Sequence, residues 1–129
     1  MNYAGAARSS QHANIMGILS GAAEPGERRA LIGKILSDPA LDQCTIYYRF
    51  YLAEAMRMAG EGDKYFSQLE PWKKMLDRGL TTFAEKPDPT RSDCHAWSSS
   101  PNYHLLSLVA GVTPAEYGFK SVQKKRVRR

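Results

Sequence analysis

The chain is poor in the residues that would bind it to a metal, a membrane or a disulfide framework. It has two cysteines, Cys44 and Cys94, too few for a disulfide scaffold and at no metal-ligand spacing. No apolar run approaches the ~20 residues that a membrane-spanning helix needs. The first ten residues are small and polar, without the apolar stretch of a secretory signal. No convincing strand pattern occurs; Thr81, Thr82 and Phe83 make the one short β-prone run. No internal repeat is visible.

What is present is the material of a folded helical domain. The 129 residues are 43% hydrophobic and 24% charged, which excludes wholesale disorder. The formal net charge is +5, but six cations (Lys120, Lys124, Lys125, Arg126, Arg128 and Arg129) lie in the last ten residues. Without those six, 12 basic residues face 13 acidic ones, and the body is close to neutral. We read residues 120–129 as a solvated, disordered tail. It supplies charge and no reading element, which argues against a nucleic-acid partner.

Five helices are expected. Ser9 or Ser10 caps the first, which runs to about Ala22 with Ile15, Ile18, Leu19 and Ala22 in one stripe. Glu24-Pro25-Gly26-Glu27 opens the second, which buries Leu31, Ile32, Ile35 and Leu36 and stops at Ser37-Asp38-Pro39. The third spans about Asp42 to Ala59 and carries Tyr47, Tyr48, Phe50 and Tyr51, a run more typical of core than of binding surface. The fourth spans about Asp63 to Arg78, with Tyr65, Leu69, Trp72 and Leu76 on one face and a kink or restart at Pro71. The fifth runs from Ser100 to about Ala110, with Ser100 as cap, Pro101 at the first position and Leu105, Leu106 and Val109 inward. Short breaks between helices predict antiparallel hairpins over 10–37 and 42–78.

The stretch from Leu80 to Ser99 is a 20-residue loop without periodicity, and loops of that length inside compact domains are often functional. It concentrates Glu85, Asp88, Asp93, Cys94, His95 and Trp97. Asp93, His95 and Trp97 alternate, so an extended backbone would send all three to one side. An acid, an imidazole and an indole on one face suit a sugar: the indole covers the apolar ring face and the polar groups hold hydroxyls. Cys94 has no second base beside it and its neighbours point away, which argues against a Cys/His nucleophile. Asp88 sits between prolines as a turn residue. Gln11 and His12 suit a helix start or a pocket rim, and Arg49 among tyrosines suits cation–π packing or a substrate contact.

The segments TTFAE (81–85), SDCHAWSSSP (92–101) and YHLLSLVAGVTPAEYGFKSV (103–122) closely resemble the end of the catalytic domain of bacterial α-L-rhamnosidases. SQHANIMGILSG (10–21) and IYYRFYLAEAM (46–56) are similar to helices of the same domain, so the resemblance covers roughly residues 9–122. It implies an all-α fold: antiparallel helical hairpins over residues 1–119 forming part of the (α/α)6 toroid of six-hairpin glycosidases. It implies inverting hydrolysis of terminal α-L-rhamnosides, with Glu85 as general base and Asp93, His95 and Trp97 contacting a rhamnose-containing carbohydrate. No metal or cofactor follows from the residues. Family members are often exported or periplasmic.

The resemblance also has a gap. The family's general acid lies upstream, and nothing in residues 1–80 matches its motif; Glu24, Glu27 and Asp38 sit where caps belong, and Glu54 lies in a helix. Five helices are too few for six hairpins, and QKKRVRR replaces the β-sandwich that usually follows. The expectation is a C-terminal fragment carrying the general-base half of a site and inactive alone. The competing expectation is a non-catalytic helical module that self-associates through the face the missing barrel half would cover.

Overall fold

The computed structural model describes residues 9–125. Helical segments cover 52% of them, and the remaining regular structure is one small two-stranded sheet. The order is α1 (Gln11–Leu19), α2 (Arg28–Ser37), α3 (Arg49–Ala59), a 3-10 helix (Gly62–Gln68), α4 (Glu70–Asp77), a 3-10 turn (Ala96–Ser98), α5 (Ser100–His104) running into a π-helical turn (Leu105–Val109), β1 (Val112–Pro114), a 3-10 turn (Tyr117–Phe119) and β2 (Val122–Lys124).

Helices α1, α2 and α3 pack on one another around Ile15, Ile18, Ile32, Ile35, Leu52, Ala55 and Met56. The four isoleucines and Met56 are fully buried, each contributing about 1.5–3 kcal/mol by leaving water. Ser10 caps α1 as its sequence predicts, its Oγ accepting from the Ala13 amide at 3.2 Å. Helix α1 ends at Leu19, three residues short of the expected Ala22, which is exposed. Helix α2 starts only at Arg28, because the Glu24–Glu27 stretch folds as a turn in which Glu27 Oε2 accepts from the Glu24 amide.

The third helix begins at Arg49, seven residues later than the expected start at Asp42. Asp42 and Cys44 spend backbone groups elsewhere, while the carbonyls of residues 45–48 accept from the first amides of α3. Asp42 pairs with Ser10 in a short parallel bridge, and its carbonyl accepts from the Gln11 amide at 3.0 Å. The Cys44 amide donates to Gln11 Oε1 at 2.8 Å. The same Gln11 side chain donates to the Ile35 carbonyl at 2.8 Å. Gln11 is therefore a buried clamp joining α1, α2 and the approach to α3, not a pocket residue. Leu41, Cys44 and Ile46 fill the core from this irregular segment.

The fourth helix is broken at the position marked by Pro71. A 3-10 helix runs to Gln68 and α4 restarts at Glu70. Three residues per turn before the break shift the inward face, so Tyr65, Trp72 and Met75 are buried while Leu76 is 71% exposed. Helix α4 packs on Ile46, Leu80, Phe83 and Ala84 rather than forming a hairpin over 42–78 with α3. Trp72 fixes it to the long loop, its indole N–H donating to the Ser98 carbonyl at 2.7 Å.

The fifth helix departs most from expectation. Ser99, not Ser100, flanks it, without a side-chain cap. After His104 the wider π-turn rotates the inward face, burying His104, Ser107 and Leu108 and leaving Leu105 and Leu106 exposed. Beyond Gly111 the chain forms an antiparallel hairpin that the sequence did not announce, with Val112 opposite Lys124 and Pro114 opposite Val122. Residues 120–125 thus belong to an ordered hairpin rather than to a tail; 126–129 lie outside the described residues.

Candidate functional site

The loop from Leu80 to Ser99 is held as an irregular two-arm structure. The Glu85 amide donates to the Ser92 carbonyl at 2.9 Å and the His95 amide to the Phe83 carbonyl at 2.7 Å. Thr82 Oγ1 donates to the Asp93 carbonyl. Phe83 and Ala84 anchor the first arm against Trp72 and Met75. Ser98, fully buried, anchors the second, accepting from Trp72 and reaching toward the Glu85 carbonyl. These bonds bring residues 85, 92 and 95 together across the loop.

Glu85 itself is gripped by Arg91. The guanidinium Nε donates to Oε2 at 3.0 Å, and Nη2 pairs with Oε1. The glutamate side chain is 8% exposed and the arginine side chain 77% exposed. The hydrogen bonds from Arg91 hold the Glu85 carboxyl below the usual range, helped by the nearby charges of Arg91, His95 and Lys86. The group is a carboxylate at neutral pH, covered by an arginine that lies on the surface.

His95 and Trp97 are in ring contact, with centroids 4.0 Å apart and planes at 45°. The contact arises differently from the expected alternation. His95 is extended, but Ala96–Ser98 curl into the 3-10 turn, and the turn swings the indole back over the imidazole. Trp97 is 46% exposed, whereas Trp72 is buried in the core. Asp93 lies exposed on the same arm, and its backbone carbonyl holds Thr82.

The aromatic run of α3 joins this site. Tyr47 lies 5.3 Å from Trp97, and it is 42% exposed, against the expectation of a core position. Tyr51 follows one turn along the helix, 6.0 Å from Tyr47, with the two hydroxyls 3.4 Å apart. Tyr48 packs against Tyr51 and His12. The sequence pointed away from the tyrosines because an aromatic run is more typical of core than of surface, and their meeting with Trp97 depends on how the loop folds back. Arg49 takes neither expected part; its Nη1 donates to the Gln68 side chain at 3.1 Å and carbonyl at 3.3 Å.

Other titratable groups serve the framework. His104 is fully buried, with Nε2 3.2 Å from Glu54 Oε1. That bond, with help from Arg57, holds the Glu54 carboxyl below its ordinary value. Glu61 is buried under Arg29 and Lys64. Asp88 pairs with Arg78 at 2.9 Å. Among the described residues no three His, Cys, Asp or Glu side chains gather as a metal site, and no helix is long and apolar enough to cross a membrane.

Concavities among the described residues include one of about 510 Å³ between Arg49, Lys74 and Asp88, one of about 630 Å³ in the terminal hairpin, and one of about 330 Å³ between α4, Phe83 and Leu105. None includes Glu85, His95 or Trp97. Comparison with protein-family models and with curated proteins finds no match for the chain.

Proposed function

We propose that this chain is part of a glycoside hydrolase of the α-L-rhamnosidase type, contributing the general-base side of an inverting site within an incomplete (α/α)6 toroid. The observation that supports it is the conjunction of a shielded, ionised Glu85 with the exposed His95–Trp97 ring pair on one loop. In this reading Glu85 takes a proton from water as the water attacks the anomeric carbon. Arg91 keeps the carboxylate charged until substrate arrives, then moves outward to free an oxygen. The Trp97 face carries the apolar side of the sugar, and His95 and Asp93 hold hydroxyls. Of the span 1–119 read as the toroid portion, residues 1–8 lie outside the described residues. No residue of this chain is assigned as general acid, and inversion needs that second carboxyl about 6.5–9.5 Å away, with room for water.

The test is titration of the chain with L-rhamnose, followed by tryptophan fluorescence. Trp72 is buried and Trp97 exposed, so a saturable change that vanishes in Trp97→Phe places the sugar at the loop. With p-nitrophenyl α-L-rhamnoside the chain alone is expected to release no nitrophenol. Release abolished by Glu85→Gln would show a complete site; a folded chain that binds no rhamnose would overturn the reading.

A second reading is a non-catalytic helical module that pairs with another copy of itself. It is favoured by the groove between α4, Phe83 and Leu105, whose flank Leu76 is largely exposed. Sedimentation across a concentration series separates the two readings, because only the second requires a dimer.

A further inference from the structure

As sequence, the basic C-terminal segment offers charge without an element that reads a partner. The fold supplies that element. The hairpin of β1 and β2 is closed at both ends, the Ala115 amide donating to the Ser121 carbonyl at 3.0 Å and the Lys125 amide to the Gly111 carbonyl at 2.9 Å. Its 3-10 turn presents two aromatic rings to solvent: Tyr117 is 99% exposed and Phe119 56%. Phe119 has a φ of +57°, a left-handed conformation that a bulky side chain rarely adopts. Strain of that kind persists at ligand clamps, and here its ring stays more than half exposed instead of reaching the core. Lys120 follows the turn, and Lys124 and Lys125 lie on or just after β2, every residue of which is exposed. Against these three cations residues 111–125 hold one acid, Glu116, and the sequence goes on to Arg126, Arg128 and Arg129.

We infer that this hairpin is a docking surface for single-stranded nucleic acid, with Tyr117 and Phe119 as platforms for bases and Lys120 and Lys124 as contacts to phosphates. The inference stands apart from the glycosidase reading and uses none of its residues. Proteins hold single strands by setting exposed rings, on which bases stack, into a basic surface that follows the backbone. The hollow of about 630 Å³ lined by Pro114, Tyr117, Phe119 and Lys120 gives a base room beside the rings. Charge complementarity calls for an anionic partner, and open rings call for one with flat faces to cover them. A duplex keeps its base faces inside the stack, whereas a single strand offers both the faces and the regular charge. An anionic membrane would favour an aliphatic tip, but Val122 is the one large aliphatic side chain exposed among the described residues of the hairpin.

The experiment follows fluorescence anisotropy of a fluorescein-labelled oligothymidine with the full chain, from low to high salt. Affinity is expected to fall with salt, the logarithmic slope being about −0.7 for each phosphate neutralised. Tyr117→Ala should weaken binding about tenfold without changing the slope, and Tyr117→Phe, which keeps the ring, should bind as wild type does. Lys120→Gln and Lys124→Gln together should flatten the slope by about 1.4. A duplex of the same length should show no loss on Tyr117→Ala, because its base faces are already covered. Circular dichroism checks that each variant folds. Failure to bind the oligonucleotide at low salt overturns the inference. So does binding that Tyr117→Ala leaves unchanged, since charge alone would then explain it, and so does an equal loss with the duplex. Attachment to phosphatidylserine vesicles with none to the oligonucleotide assigns the surface to lipid and overturns it as well.

Discussion

Arg91 covers both carboxylate oxygens of Glu85, six residues earlier in the same loop, while its own side chain stays 77% exposed. The pair does two opposing things. It keeps the carboxylate ionised, and it occupies the oxygens that a water molecule would need.

Arg91→Gln should let the Glu85 carboxyl titrate nearer its ordinary value, since the hydrogen bonds from Arg91 are the main cause of its depression. Carboxyl carbon chemical shifts measured against pH would follow this directly. The stability sign follows by linkage. A depressed carboxyl contributes stability above its unfolded-state pKa and loses it as pH falls through the folded one. The difference between wild type and variant should therefore close in acid. An unchanged Glu85 titration would mean that Arg91 does not hold the carboxyl in solution.

Glu54 and His104 make a second prediction, about the frame. His104 has no exposed surface and, among the described residues, its Nδ1 has no partner and Glu54 is its one side-chain hydrogen bond. Glu54→Leu should cost about 1–3 kcal/mol by leaving the buried imidazole unpaired, measured by urea denaturation. The hydrogen bond from His104, more than Arg57, depresses the Glu54 carboxyl. Its stabilising effect is thus present above the ordinary carboxylate range and is lost as pH falls through the depressed value. The gap between wild type and variant should shrink in the same direction.

Gly111 makes the third. Its φ of +68° is one that residues with a Cβ rarely adopt, and a Cβ there would lie 1.9 Å from the Lys125 carbonyl oxygen. Gly111→Ala should therefore detach β2 from β1 while α1–α3 stay packed. The readout is amide hydrogen exchange. The Ala115 and Lys125 amides, which donate to Ser121 and Gly111, should exchange faster, and the core amides of α3 should not.

Much of the helical frame was legible because its signals are local. Ser10 as cap, Gly60 as the left-handed stop of α3 and Pro71 as the restart of α4 each act within a turn of their own position. The errors arose where distant partners decide. Residues 42–48 have helical composition, but Gln11 and Ser10 claim the backbone of Asp42 and Cys44 from about 30 residues away, and the helix starts only after them. The π-turn after His104 rotates Leu105 and Leu106 outward, and no 3.6-residue pattern anticipates it. The hairpin of Val112–Pro114 and Val122–Lys124 is too short to show alternation. At the candidate site, the loop and its concentration of polar and aromatic side chains were visible in the sequence. The Arg91 grip and the tyrosines were not, because both depend on how the chain folds back on itself.

The cysteines, set aside at first as too few to matter, make the loop addressable. Cys44 is buried, and burial raises its thiol pKa, while Cys94 lies exposed between Asp93 and His95. A thiol-selective dye or spin label would therefore attach at Cys94 in preference to Cys44, one residue from the imidazole and three from the indole. The natural chain already carries a tether point for a reporter of sugar binding, without an engineered cysteine.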